Sequence, residues 1–168
     1  MLGSRATVYQ YFGSRGDIFA ELAEALEAEL LLLVRRLGPL GASDSGFENL
    51  RWWLRELLYV YDDFGPVFLL WPEIAPGVDT LFGGSSAFRR EFEAAIAERL
   101  RRAGLPAPDN LRAIGLGLLA TAERTAHFLR IPSVLEDPLV DALALTTQCV
   151  LIPDTPDDVL RRAMTGGI

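Results

Sequence analysis

The stretch SRATVYQYFGSRGDIFAEL, residues 4–22, decides how this chain is read. Ser4 is suited to an N-cap, and the residues behind it form a short helical segment that glycine closes at Phe12-Gly13. Ser14-Arg15-Gly16-Asp17 then has the serine-to-acid spacing of a capping box and opens a second helix. On that helix Ile18, Leu22, Leu26, Leu30, Leu33 and Leu37 recur at steps of three or four, which lays down one apolar stripe. Acids crowd its first half and Arg35-Arg36 its end, the order the helix dipole favours, and Gly38-Pro39 stops it.

The same punctuation continues. Ser45-Gly-Phe-Glu48 reads as a capping box for a helix through Trp52, Trp53, Leu57, Leu58 and Tyr61 to the break at Gly65-Pro66. The apolar piece at 67–71 and an irregular connection with a helical turn near Leu81 follow. Phe88, Phe92, Ile96 and Leu100 mark a helix closed by Ala103-Gly104, and Asp109 is expected to cap the next, which halts before Pro132. Ser133 to Glu136 opens another that ends at Pro153, and Thr155-Pro-Asp-Asp158 starts a short terminal one. Strand signals are nearly absent, so the expected fold is all-α with about eight helices.

Composition narrows the function. At 168 residues the chain fits one medium domain, or a small module attached to a larger one, and can bury a core. Cys149 is the sole cysteine and His127 the sole histidine, which excludes an intrachain disulfide and any zinc site needing several Cys or His ligands. The longest apolar runs, at 30–34 and 113–122, fall short of the ~20 residues that span a bilayer. A cytoplasmic protein without membrane attachment or cofactor is expected. No nucleophile stands at a diagnostic spacing from His127, the GLGLL at 115–119 lies mid-helix, and Gly83-Gly84 lacks a phosphate-binding lysine, so no enzyme is expected. The net charge of −7 disfavours general nucleic-acid binding, yet residues 1–16 hold Arg5 and Arg15 and no acid.

The order Ser-x-Ala-Thr-hydrophobic-Tyr-x-Tyr-Phe, a two-residue turn and an arginine at the mouth of a long helix resembles the recognition helix of the TetR family of transcriptional regulators. The resemblance covers residues 3 to about 22. Residues 1–16 would then be the remnant of a helix-turn-helix head, with the recognition helix at about 4–12 and the family's two preceding helices missing, either through a truncated start, the favoured expectation, or because the chain is a natural remnant that does not grip DNA alone. Residues 17–168 would be the ligand-binding and dimerisation domain. Val8 and Phe12, four apart, would pack inward. Ser4, Arg5, Thr7, Tyr9, Gln10 and Tyr11 would face the major groove, where arginine reads guanine and glutamine reads adenine. The resemblance assigns Thr7 and Tyr9 to the DNA backbone, Arg5, Gln10 and Tyr11 to bases, and Arg15, where the family usually has lysine, to a phosphate.

The remainder of the family's function would lie in the helices. Trp53, Tyr61, Phe68, Trp71, Phe88 and Phe92 suit an apolar effector cavity, with Glu123 and His127, i,i+4 neighbours, as polar anchors; ordinary core packing and a surface ion pair explain the same residues. The helices containing 113–122 and 139–152 are apolar all round. They are therefore expected to form a homodimer interface through Leu118, Ala122, Leu139, Leu143 and Val150, the alternative being an intrachain core. The expected function is a homodimeric, ligand-responsive repressor, released from operator DNA by a small apolar or aromatic effector. The alternative is a helical small-molecule binding or interaction protein that does not bind DNA.

Overall fold

A computed structural model of the chain describes residues 15–65, 86–129 and 136–165. These residues form six helices and no strand: α1 Arg15–Arg36, α2 Asp44–Asp63, α3 Ser86–Arg102, α4 Leu111–Leu129, α5 Glu136–Leu151 and α6 Asp157–Met164. The all-α expectation holds for them. The helical segment expected at 4–12, the apolar piece at 67–71, the turn near Leu81 and the start expected at Ser133 lie outside the described residues.

α2 is the hub, because it packs against α1, α4, α5 and α6, while α3 joins α1 to α4. Its buried residues, Phe47, Leu50, Trp53, Leu54, Leu57, Leu58 and Tyr61, come at steps of three and one, which widens the stripe into a face broad enough for several neighbours. Leu54, Leu57 and Leu58 are fully sealed from solvent. No helix among the described residues is long and apolar enough to cross a membrane.

α1 departs from its expected stripe. Leu26, Leu30, Leu33 and Leu37 are buried, but Ile18 is half-buried, Leu22 is 42% exposed, and Phe19 is buried in their place. The reason is geometric: at 3.6 residues per turn each step of four advances about 40° around the helix, so the run 18-22-26-30 walks off the core face. Phe19 keeps the face by standing seven residues before Leu26.

Three expected caps are corrected. Ser43, not Ser45, caps α2: it takes an extended conformation, and its Oγ accepts the Gly46 N–H at 3.2 Å. The 38–43 loop folds tightly over that first turn, and a Cβ on Gly46 would stand 2.6 Å from the Gly41 carbonyl oxygen. Asn110, not Asp109, holds the cap position of α4, since the Ile114 N–H bonds to the Asn110 carbonyl at 3.0 Å. Thr155 does not cap α6, which starts behind Pro156 with no side-chain cap. Its hydroxyl donates to the Ile152 carbonyl (2.7 Å) and accepts from Gln148 Nε2 (2.9 Å). Gln148 is wholly buried, and its Nε2 also donates to the Gly41 carbonyl at 3.0 Å, tying the loop before α2 to α5 and the turn before α6. The end of α3 is as expected: Gly104 takes φ 74°, and the Leu105 N–H returns to the Leu100 carbonyl at 2.9 Å, a Schellman closure.

Candidate functional site

The expected DNA-reading residues Ser4, Arg5, Thr7, Tyr9, Gln10 and Tyr11 lie outside the described residues, and Arg15 is the first residue of α1. The geometry behind them is that of a long helix gripped at one end. Over residues 17–25 only Phe19 is buried, whereas Leu26 to Leu37 supply five buried residues that pack on α2 and α3.

Of the expected effector-binding residues, Trp53, Phe88 and Phe92 meet, but as packed core. The rings of Trp53 and Phe92 stack at 5.1 Å and those of Phe88 and Phe92 at 6.0 Å. All three are at most 1% exposed, and Trp53 Nε1 donates to the Leu33 carbonyl at 2.8 Å. Such a stack fills its own space and leaves no room for a ligand among its rings. Tyr61 is buried near the carboxyl end of α2 and Glu123 is half-buried on α4. They face one another electrostatically: burial first, and the Glu123 charge second, push the Tyr61 phenol above its usual range. His127 is exposed on α4, its ring edge-on to Phe128 at 6.4 Å. Phe68 and Trp71 lie outside the described residues.

The expected dimer residues divide. Leu118 (8% exposed), Ala122 (0%) and Leu143 (6%) are buried within the single chain, so they belong to its own core; Leu139 is half-buried and Val150 is 48% exposed. The cause is α2, which packs on both α4 and α5 and takes one side of each. The outward sides are nonetheless unusual. α4 turns out Ala113, Leu116, Gly117, Thr121 and Phe128, with Arg112, Arg124 and His127 among them, and beyond its exposed first turn of Glu136, Asp137 and Pro138 α5 turns out Ala142, Thr146, Cys149 and Val150. Both exposed threonines donate their hydroxyls back to their own helix, Thr121 to the Gly117 carbonyl at 2.7 Å and Thr146 to the Ala142 carbonyl at 2.8 Å. Between those charged residues, what faces outward is therefore largely methyl and methylene. Sequence reasoning saw that both helices are apolar all round; it did not separate the two sides, which the i,i+3/i+4 rows 113-116-117 and 142-146-149-150 could have done.

One polar constellation was not anticipated. Arg51 pairs with Asp141 and lies 3.7 Å from Asp137, Arg55 pairs with Asp137 and lies 3.8 Å from Glu136, and the Tyr59 hydroxyl donates to Glu136. The hydrogen bond to Asp141 is the main cause that raises the Arg51 pKa, and the bond to Glu136 likewise raises that of Tyr59. Glu136 and Asp137 stand in the first turn of α5, where the helix dipole also favours negative charge, and Asp141 follows one turn later. Ascending numbers on α2 meet descending numbers on α5, so the two helices run antiparallel.

No group of three or more His, Cys, Asp or Glu side chains among the described residues is arranged to hold a metal ion. Comparison of the chain with protein-family models, with curated proteins and with solved structures gave no match in any of the three.

Proposed function

We propose that this chain is a homodimeric, ligand-responsive DNA-binding regulator of the TetR kind, acting as a repressor that a small apolar or aromatic effector releases. The observation that carries the reading is the relation between the recognition-like stretch and α1. The residues suited to a major groove end at Arg15, and a 22-residue helix begins there whose far end is locked in the core while its near end is largely bare. A rod held at one end transmits small movements of the core to whatever is attached to the other. In a two-fold dimer that would change the spacing of two DNA-reading heads, which must match half-sites about one helical turn apart.

The outward side of α4 and α5 supports the dimer, since a run of methyl-lined surface is best covered by an identical run across a two-fold axis.

Selection of bound duplexes from a random pool, using the full chain, tests the DNA reading. A recovered consensus is expected to be two-fold symmetric. Gln10→Ala and Tyr11→Ala should relax discrimination between it and random DNA, whereas Arg15→Ala should weaken binding to both and reduce the salt dependence by about one unit of slope. Failure to enrich any sequence would leave the helical small-molecule binding protein as the reading. For the dimer, Leu116→Glu should yield monomers in sedimentation equilibrium; an unchanged mass would remove this face from the interface.

A further inference from the structure

Away from the aromatic core, the loop of residues 105–110 and the end of α5 with its following turn, residues 150–154, enclose a groove of about 540 Å³ to which Ile114 also contributes. That volume suits a small organic molecule. Three lining residues, Pro106, Pro108 and Pro153, are prolines. Their fixed φ holds the walls in shape without a ligand, and their missing N–H groups leave the walls richer in hydrogen-bond acceptors than in donors.

The charge of the groove has one sign. Among the described residues, Asp109 and Asp154 are the only ionisable side chains that line it, and no arginine does. The carboxyl end of α5, with the negative pole of its dipole, opens on the same place, and Pro153 cannot supply the N–H that would reach the Cys149 carbonyl four residues earlier. The amino end of α4 opens there too, with Asp109 two residues before Leu111. Asp154 follows the carboxyl end of α5, where an acid has the unfavourable sign, and the first turn of α6 has Asp157 and Asp158 of its own.

We infer that this groove binds a small organic cation, an ammonium bearing an alkyl or aryl group. Its apolar body lies against Leu105, Ile114 and the proline walls, and its ammonium faces Asp109 and Asp154. Complementarity of charge selects this occupant over a neutral or anionic molecule of the same shape, and the site is independent of the DNA-reading role proposed above.

Titration of the full chain with phenethylammonium, phenethyl alcohol and phenylacetate, followed by amide chemical shifts in two-dimensional NMR, tests the inference. Shifts are expected around Asn110, Ile114, Val150 and Ile152. The ammonium should bind about five- to tenfold more tightly than the alcohol, the ratio expected of two partly screened ion pairs. Phenylacetate should bind most weakly. Asp154→Asn, a change at an exposed position, should bring the ammonium to within about twofold of the alcohol while the far-ultraviolet circular dichroism stays that of the parent. Equal affinity for ammonium and alcohol, shifts centred elsewhere, no binding at all, or an Asp154→Asn protein that keeps the full preference would each overturn it.

Discussion

Replacing Gly46 by alanine sets two effects of opposite sign against each other. Alanine inside a helix is ordinarily worth about 1 kcal/mol over glycine. Here the new methyl would stand 2.6 Å from the Gly41 carbonyl oxygen, 2.7 Å from its nitrogen and 2.9 Å from its carbonyl carbon, all backbone atoms that cannot rotate aside. To reach a normal contact near ~3.5 Å, the Gly41 peptide must withdraw by about 0.9 Å. That peptide accepts the Gln148 Nε2 bond at 3.0 Å, so withdrawal stretches the bond past its useful range and strands part of a buried amide. Overpacking costs about 1–3 kcal/mol and the lost hydrogen bond about 1 kcal/mol more, against the helix gain of about 1. The net expectation is a loss of about 1–3 kcal/mol, or a fall in Tm of roughly 3–10 °C for a chain of this size. Thermal and urea denaturation of dilute protein, followed by circular dichroism, measure it. Gly117→Ala is the control, because nothing lies within 4 Å of a Cβ there and the ordinary gain should appear. If Gly46→Ala is as stable as the parent while Gly117→Ala gains, the reasoning from close approach is wrong.

Further predictions concern single contacts and pH. Trp53→Phe keeps the ring stack but orphans the buried Leu33 carbonyl, and should cost about 1–3 kcal/mol in urea denaturation; parent-like stability would show that this bond contributes nothing. Arg101 and then Arg102 hold the Glu98 carboxyl below its usual range, and Arg162 does the same for Asp158. With folded pKa values below unfolded ones, their stabilisation is present above pH ~4 and disappears as pH falls through the folded values. Glu98→Gln combined with Asp158→Asn should therefore flatten the acid limb of a stability–pH curve, and an unaltered limb would refute this. The raised phenol of Tyr61 has the opposite sign: stability is intact below about pH 10 and falls as pH climbs beyond it. Tyr61→Phe should remove part of that alkaline loss, and a Tyr61 that ionises in the native protein like a free phenol, seen by ultraviolet absorbance, would contradict the assigned burial.

What the sequence revealed, and what it withheld, follows from the range of the forces involved. Local periodicity found the buried rows Leu26 to Leu37 and Phe88 to Leu100 and the glycine stop at Gly104, because these depend on one helix and its own turn. Caps were less secure. Ser43 and Ser45 are chemically equivalent, and only the approach of Gly41 to Gly46 chooses between them; Thr155 lost its capping role to Gln148, a partner seven residues away. The aromatic residues Trp53, Phe88 and Phe92 were correctly brought together, but composition cannot distinguish a filled stack from a cavity wall. The pairs joining Arg51, Arg55 and Tyr59 to α5 span 77–90 residues of chain, a separation at which no sequence spacing says which acid meets which arginine.

Those same pairs decide where the molecule can yield. Each joins a directional group on α2 to one on α5, so a slide of one helix past the other must break every rung together before a new register, one pitch of ~5.4 Å along, becomes available. The two helices are thus splinted into a single moving part. The carboxyl half of α1 is held by directional contacts as well, through Trp53 to the Leu33 carbonyl, Arg36 to Glu56 and Arg99 to the Leu37 carbonyl. Any bending of the molecule should therefore be concentrated in the amino half of α1, where residues 17–25 bury Phe19 alone, with the rest of the helix clamped to a stiff frame.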